Sequence, residues 1–302
     1  MGNHLRHCAS GTQMLTRRPV LILLALAVLA ACTSPAASPG ASPSPSPSTT
    51  PTSTPSGPPA ADVAVVRIEQ TGGMLPIWDT LRWYPFVAMY GDGRLITQGP
   101  QIEIYPGPAL PNLVVTQLSE RGVNQVLDWA VEAGLAGPDR QLGEPLLDSG
   151  VTLFTITSSD GTHRTSVWDM AGSDSDTAAV RQFQEVLTNV RAHLPDDIAG
   201  DDAPYEYDRM RILSFPVDPE APPEPNLVSF MDWPLDTPIA EIGTSLGEPA
   251  EYRCAQVEGD DLDTLKPSLV EANELTLWRS DDLVYQLYLH PLLPDDEPCP
   301  GF

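Results

Sequence analysis

Gly243-Thr244-Ser245-Leu246-Gly247 is the stretch whose spacing comes nearest to a catalytic motif. In G-x-S-x-G hydrolases the serine sits on a sharp strand-to-helix turn, where backbone N–H groups form an oxyanion hole beside an exposed hydroxyl. Here Pro238 lies before the motif, Pro249 follows it, and His290 is the one histidine downstream. No strand–helix–strand pattern surrounds the serine, so a glycine-bounded turn is the simpler reading, and a serine hydrolase using Ser245 is the enzymatic alternative. His163, His193 and His290 are far apart and lack the spacing of zinc ligands. Asp174-Ser175-Asp176 and Asp260-Asp261-Leu262-Asp263 could meet calcium, but neither has the ordered ligands and glycine of an EF-hand loop. A helix cap accounts for the first and a surface turn for the second. With no phosphate-binding loop and no dinucleotide fingerprint, the sequence implies no metal and no cofactor.

The cysteines carry a second kind of chemistry. Cys32 ends the apolar run 20–31, which follows Arg17, Arg18 and Pro19. That run is too short for a hydrocarbon core needing about 20 helical residues, and it suits the apolar region of a secretory signal. Arg17-Arg18 leaves twin-arginine export as a lesser option, and Met14 offers an alternative start. Leu29-Ala30-Ala31-Cys32 resembles the lipobox of bacterial lipoproteins. The resemblance implies cleavage before Cys32, diacylglycerol on its sulfur, acylation of the new amino terminus, and residence on the extracytoplasmic face of the cell membrane. His4, His7 and Cys8 would be lost with the signal and are not read as a metal site. In an oxidising space the remaining pair, Cys254 and Cys299, is expected to join in a disulfide. A catalytic thiol is the rival, and neither cysteine has a histidine spaced to activate it.

Composition limits the partners. The chain has 302 residues, with 16 basic against 41 acidic residues and a formal net charge of −25. Loss of residues 1–31 removes Arg6, Arg17 and Arg18 and no acid, leaving 13 basic residues. Nucleic acid and anionic lipid surfaces are thereby poor partners. Cationic ligands are allowed, although a solvated acidic surface explains the charge equally well. Residues 32–60 are expected to be a lipidated cysteine and a disordered tether: Ser, Pro, Thr, Ala and Gly supply too little apolar surface to offset the entropy of ordering.

The remainder divides into an N-terminal module at 61–195, an acidic Pro-rich connector at 196–225 and a β-rich C-terminal module at 226–302. Hairpins are expected around Asp92-Gly93 and Asp160-Gly161, where glycine supplies positive φ. Each is followed by a helix, one capped at Ser119 and bearing Val123, Val126, Leu127 and Ala130, the other beginning near Asp174 and bearing Val180, Phe183 and Leu187. The repetition suggests a duplicated hairpin–helix unit. Later strands are expected at 209–215, 227–230 and 252–257, a short helix at 265–273, and a closing hairpin turning at Asp281-Asp282. The expected fold class is α+β, with mainly antiparallel sheets of hairpins and helices packed on one face. Trp129, Trp168, Trp233 and Trp278 read as packing residues, whereas Trp78 and Trp83, set among Gly and Pro, are the first to suspect of exposure.

Tyr90-Gly91-Asp92-Gly93-Arg94, Ile104-Tyr105-Pro106-Gly107-Pro108-Ala109-Leu110 and Pro291-Leu292-Leu293-Pro294 before Cys299 are similar to a group of uncharacterised lipoproteins from actinobacteria and relatives. That resemblance implies location and fold without an activity. The functional expectation is a lipid-anchored extracytoplasmic protein, non-catalytic, that binds an unidentified ligand or protein partner or serves the envelope. A solute-binding receptor, with two lobes of parallel sheet, is the third class.

Overall fold

The computed structural model describes residues 60–75, 80–220, 222, 224–247 and 252–299. Cys32, the lipobox, the tether up to residue 59 and Trp78 lie outside the described residues.

The first sheet has eight strands: β1 (Ala64–Gly72), β2 (Val87–Tyr90), β3 (Arg94–Gln98), β4 (Leu113–Leu118), β5 (Arg140–Leu142), β6 (Gly150–Ser158), β7 (Gly161–Val167) and β8 (Ala199–Pro204). Their spatial order is β5-β7-β6-β1-β2-β3-β4-β8, antiparallel except where β5 meets β7. Both anticipated hairpins form, on either side of β1, and Gly93 at φ 87° makes the first turn. A Cβ there would collide with the Leu118 carbonyl, so the site admits only glycine. Helix α1 (Glu120–Glu132) is capped by the Ser119 hydroxyl, which accepts from the Gly122 amide, and α2 (Ser175–Thr188) by Asp174, which accepts from the Thr177 amide.

Strand alternation gives this sheet two different faces. Val66, Ile68, Val87, Met89, Leu95, Phe154 and Ile156 pack with Val123, Val126 and Ala130 of α1 and with Val180, Phe183 and Leu187 of α2. The opposite face carries Arg67, Ala88, Tyr90 and Ile96, and it packs on Leu293 from the far end of the chain.

The second sheet has six strands: β9 (Arg209–Pro216), β10 (Phe230–Asp232), β11 (Thr244–Ser245), β12 (Arg253–Glu258), β13 (Leu277–Ser280) and β14 (Leu283–Pro291). They lie in the order β10-β13-β14-β9-β12-β11, antiparallel apart from β10 and β13. Helix α3 (Gly259–Glu271) covers one face with Leu262, Leu265 and Leu269 against Met210, Ile212, Trp278 and Leu287. The α+β expectation thus holds, with mainly antiparallel sheets and helices on one face of each.

Three boundaries differ from the sequence reading. Residues 196–225, drawn as a connector, supply the unexpected edge strand β8 to the first sheet, besides the strand expected at 209–215, which is the interior strand β9 of the second. The strand placed at 227–230 lies at Phe230–Asp232. Asp260, Asp261 and Asp263 fall in the first turns of α3 rather than on a surface turn, where negative charge suits the helix N-terminus. The helix expected at 265–273 therefore begins earlier, at Gly259, and it keeps Pro267 inside it.

Cys254 on β12 is joined to Cys299, with Cα atoms 5.9 Å apart and a sequence separation of 45. The bridge fixes the segment after β14 to the second sheet. For a loop of that size the chain-entropy account gives a stabilisation of about 4 kcal/mol. A Cys254→Ser, Cys299→Ser double variant is expected to lose roughly that much unfolding free energy in a urea titration; a loss under about 1 kcal/mol would show the tail to be held without the bridge.

Candidate functional site

The segment after β14 runs between the two sheets, and the polar groups on both sides of it converge there. Arg67 projects from β1 because β-strand alternation places it opposite Val66 and Ile68. Its Nε donates to Glu69 at 2.8 Å, and its two terminal nitrogens donate to Asp295 at 3.0 Å and Asp296 at 2.9 Å. Tyr90 donates its hydroxyl to Asp295 at 2.6 Å. From the second sheet Arg211, 6% exposed, donates to the carbonyls of Leu81, Glu297 and Pro298. Arg209 donates to the carbonyls of Leu293 and Pro294, and Tyr205 to that of Leu292. Three arginines and two tyrosines thus hold seven residues of tail, 292–298.

His290 sits at the centre of this arrangement, 4% exposed, its ring stacked on Tyr84 at 3.9 Å between centroids and 3° between planes. Its Nε2 lies 3.6 Å from Asp296 Oδ2, which also accepts from the Leu293 amide at 2.9 Å. Burial pushes the His290 imidazole below its ordinary value, against the pull of Asp296. Burial alone would raise Asp296, but His290, the Arg67 charge and the Leu293 amide outweigh it and bring the carboxyl down to about 2. The tyrosine hydroxyl of Tyr84 and Nδ1 of His290 are buried without a hydrogen-bond partner among the described residues. Tyr84, His290 and Asp296 line an inner cavity of about 280 Å³, together with Arg67, Glu69 and Arg211.

A second, outer cleft of about 350 Å³ shares Gln70, Trp83 and Tyr84 with the inner one. Its walls come from both sheets. Gln70 near the end of β1 and Gln98 at the end of β3 form one side, and Leu287, Tyr288 and Leu289 of β14 the other. The β1–β2 connection adds Arg82, Trp83 and Phe86, and the β3–β4 connection adds Pro108, Ala109 and Pro111. The β3–β4 connection is stitched to the segment after α3: Ala109 N donates to Ala272 O, Glu274 N to Gly107 O, and Gly107 N to Glu274 Oε1 at 2.7 Å. Arg82 lies over the Tyr288 ring at 3.9 Å. The side-chain amides of Gln70 and Gln98 have no partner among the described residues, and both residues are exposed. The volume falls within the range of about 300–1,000 Å³ usual for small-ligand sites.

The residues singled out from sequence are dispersed. Ser245 stands exposed on edge strand β11, in register with Arg253, Ser214 and Leu287 across three strand spacings. That separation is about 14 Å, and His290 is three residues further along β14, out of reach for proton transfer. Among the described residues no helix adjoins the serine, and Leu246 N donates to Tyr252 O beside the start of β12. Both motif glycines serve that hairpin, Gly243 at φ 63° against the Cys254 carbonyl and Gly247 at φ 92°. His163 lies on β7, and His193 borders a groove between α1 and α2. Among the described residues no three His, Cys, Asp or Glu side chains gather as metal ligands, and no helix is long and apolar enough to cross a membrane. Trp278 and Trp233 are buried, whereas Trp83 is half-exposed in the cleft, as its setting suggested.

Sequence reasoning missed Arg67, Arg211, Tyr84 and Asp296. The signal was present for the arginines, each a charge flanked by apolar residues, Val65-Val66-Arg67-Ile68 and Met210-Arg211-Ile212-Leu213. No family model, curated protein or solved structure matches the chain.

His290 and Asp296 at the seam both make acid destabilising. His290 has a folded value below its unfolded 6.5, so the unfolded chain takes the proton first and stability falls as pH drops below about 6.5. Asp296 contributes fully above an unfolded value of about 3.9 and loses its contribution as pH falls toward about 2. The thermal midpoint is expected to fall from pH 7 to pH 5, and His290→Gln to flatten that interval; an equal slope in the variant would remove His290 from the account. Asp296→Asn leaves Arg67 incompletely paired and is expected to cost about 3 kcal/mol at pH 7, read by urea titration.

Proposed function

We propose that this chain is a lipid-anchored extracytoplasmic binding protein, held to the cell membrane through Cys32, spaced from it by the Pro/Ser/Thr tether, and taking a small ligand into the outer cleft between its sheets. The lipobox resemblance supports the anchor. The cleft supports the binding role through one observation: its amides and indole are unengaged within the described residues while its charged groups are already partnered.

The non-catalytic part of the reading rests on the same contrast. Arg82 covers Tyr288 and Glu274 accepts from the Gly107 amide. Asp296 and Arg211 are spent on the tail. A general acid or base must reach the proton it transfers, and His290 is covered by Tyr84. Groups this fully committed hold a surface still, which favours selecting a ligand over transforming it.

Two measurements test the two halves. Cys32→Ser is expected to move the protein from the membrane fraction to the soluble fraction and to abolish the diacylglycerol mass on the N-terminal peptide; an unlipidated wild type, or a variant that stays with membranes, overturns the anchor. A ligand held in the cleft stabilises only the folded state, by about 2.7 kcal/mol at a hundredfold excess over Kd. Screening amino acids, nucleosides, short peptides and oligosaccharides by thermal unfolding should therefore give one class with a clear shift that Trp83→Ala removes. A shift that Trp83→Ala leaves intact would place binding elsewhere.

A further inference from the structure

We infer that the ligand of the outer cleft is a neutral saccharide chain. The inference rests on the cleft being the binding site, and goes beyond it to the class of molecule bound.

Charge is the first discriminator. The chain carries 41 acidic residues, yet among the described residues the cleft is lined by one carboxylate, Glu274, and one guanidinium, Arg82. Each is already engaged, Glu274 by the Gly107 amide at 2.7 Å and Arg82 by the Tyr288 ring at 3.9 Å. A site for amines, basic peptides or metal ions would present free carboxylates, and a site for phosphate would present free cations. Among the described residues this one presents neither, on a protein whose composition is strongly acidic.

The free groups give the second discriminator. Gln70 and Gln98 approach from two strands of the first sheet, and each offers two N–H donors and a carbonyl acceptor. Trp83 offers a half-exposed indole. A pyranose has one face of C–H bonds and a rim of hydroxyls, each hydroxyl both donor and acceptor. The C–H face lies on an indole with a large buried apolar area at small conformational cost, and hydroxyls pair with amides without desolvating a charge. Pro108 and Pro111 close the wall with rigid apolar surface that has no N–H to leave unpaired. The cleft is open to solvent beside the exposed Gln70 and Gln98, so a chain longer than the lined volume can continue outward.

The test is titration calorimetry of the purified full chain with cellotetraose, maltotetraose, mannotetraose and chitotetraose, and in parallel with adenosine, riboflavin and a neutral tetrapeptide. The expected result is saturable binding to at least one tetrasaccharide and none to the other three probes. Trp83→Ala and Gln98→Ala should each weaken that binding about tenfold or more. Gln98 is exposed, so its variant should keep the wild-type unfolding midpoint and guard against a trivial loss of fold. Trp129→Phe, beside the groove between α1 and α2, should bind as wild type. Binding of a non-saccharide probe that Trp83→Ala abolishes would keep the cleft and overturn the saccharide. Saccharide binding indifferent to both cleft variants would overturn the location. Absence of binding to every tetrasaccharide overturns the inference itself.

Discussion

The contact between Arg67 and the Asp295-Asp296 pair is the interaction on which the rest of this structure depends. Arg67 belongs to the middle of the first sheet, and the two aspartates to a tail that emerges from the second. Around that contact Arg209 and Arg211 of β9 spend their donors on five backbone carbonyls, four of them in the tail. Backbone carbonyls that enter an interior must find donors, and here arginines of the second sheet supply them where no strand pairs. The tail is thereby a third layer between the sheets, with Leu292 and Leu293 buried on it as apolar plugs. Removing one charge from such a cluster leaves others buried and incompletely paired, which is why its members act as a unit.

The outer cleft is a consequence of this packing. Two sheets joined through a narrow tail do not close on one another along their whole length. At the end of the first sheet where β1 and β3 finish, the gap is lined by connections instead of strands. Those connections are held from outside: Phe86 N donates to Ile68 O, and the β3–β4 connection hydrogen-bonds to residues 272–274. Loops tied at several points can present side chains with little entropy left to lose on binding, which is the condition for a selective site. Trp83 sits between the tied Arg82 and the stacked Tyr84, so its position is set by its neighbours.

How much of this was legible follows from the range of the interactions. Hairpins at Asp92-Gly93 and Asp160-Gly161, the caps at Ser119 and Asp174 and the Cys254–Cys299 bridge all rest on local chemistry or on counting, and they appear where the residues indicated. Residues 199–204 are a different case. Ala-Gly-Asp-Asp-Ala-Pro has no strand propensity, and it becomes β8 because the edge of β4 needs hydrogen-bond partners. The α3 start was hidden for the same reason in reverse, since Gly259 and Pro267 speak against a helix that Leu262, Leu265 and Leu269 form by packing on β9 and β12. The seam itself lay furthest from view. Arg67 and Asp296 are separated by 229 positions, and no local pattern announces a pair at that distance.

The seam also clarifies what the unusual composition does. The chain has 16 basic residues in 302. Four of them, Arg67, Arg82, Arg209 and Arg211, stand at the junction of the sheets or at the mouth of the cleft. Pairs in such surroundings are screened by salt far less than exposed ones, so the junction keeps its strength where a surface bridge would fade. Acids that the junction does not use are left on the outside, where their mutual repulsion favours solubility and discourages close approach of anionic surfaces. At the junction, then, a cation stands where each buried carboxylate or carbonyl requires one, and the charged groups that the described residues bring to the adjoining cleft are already engaged.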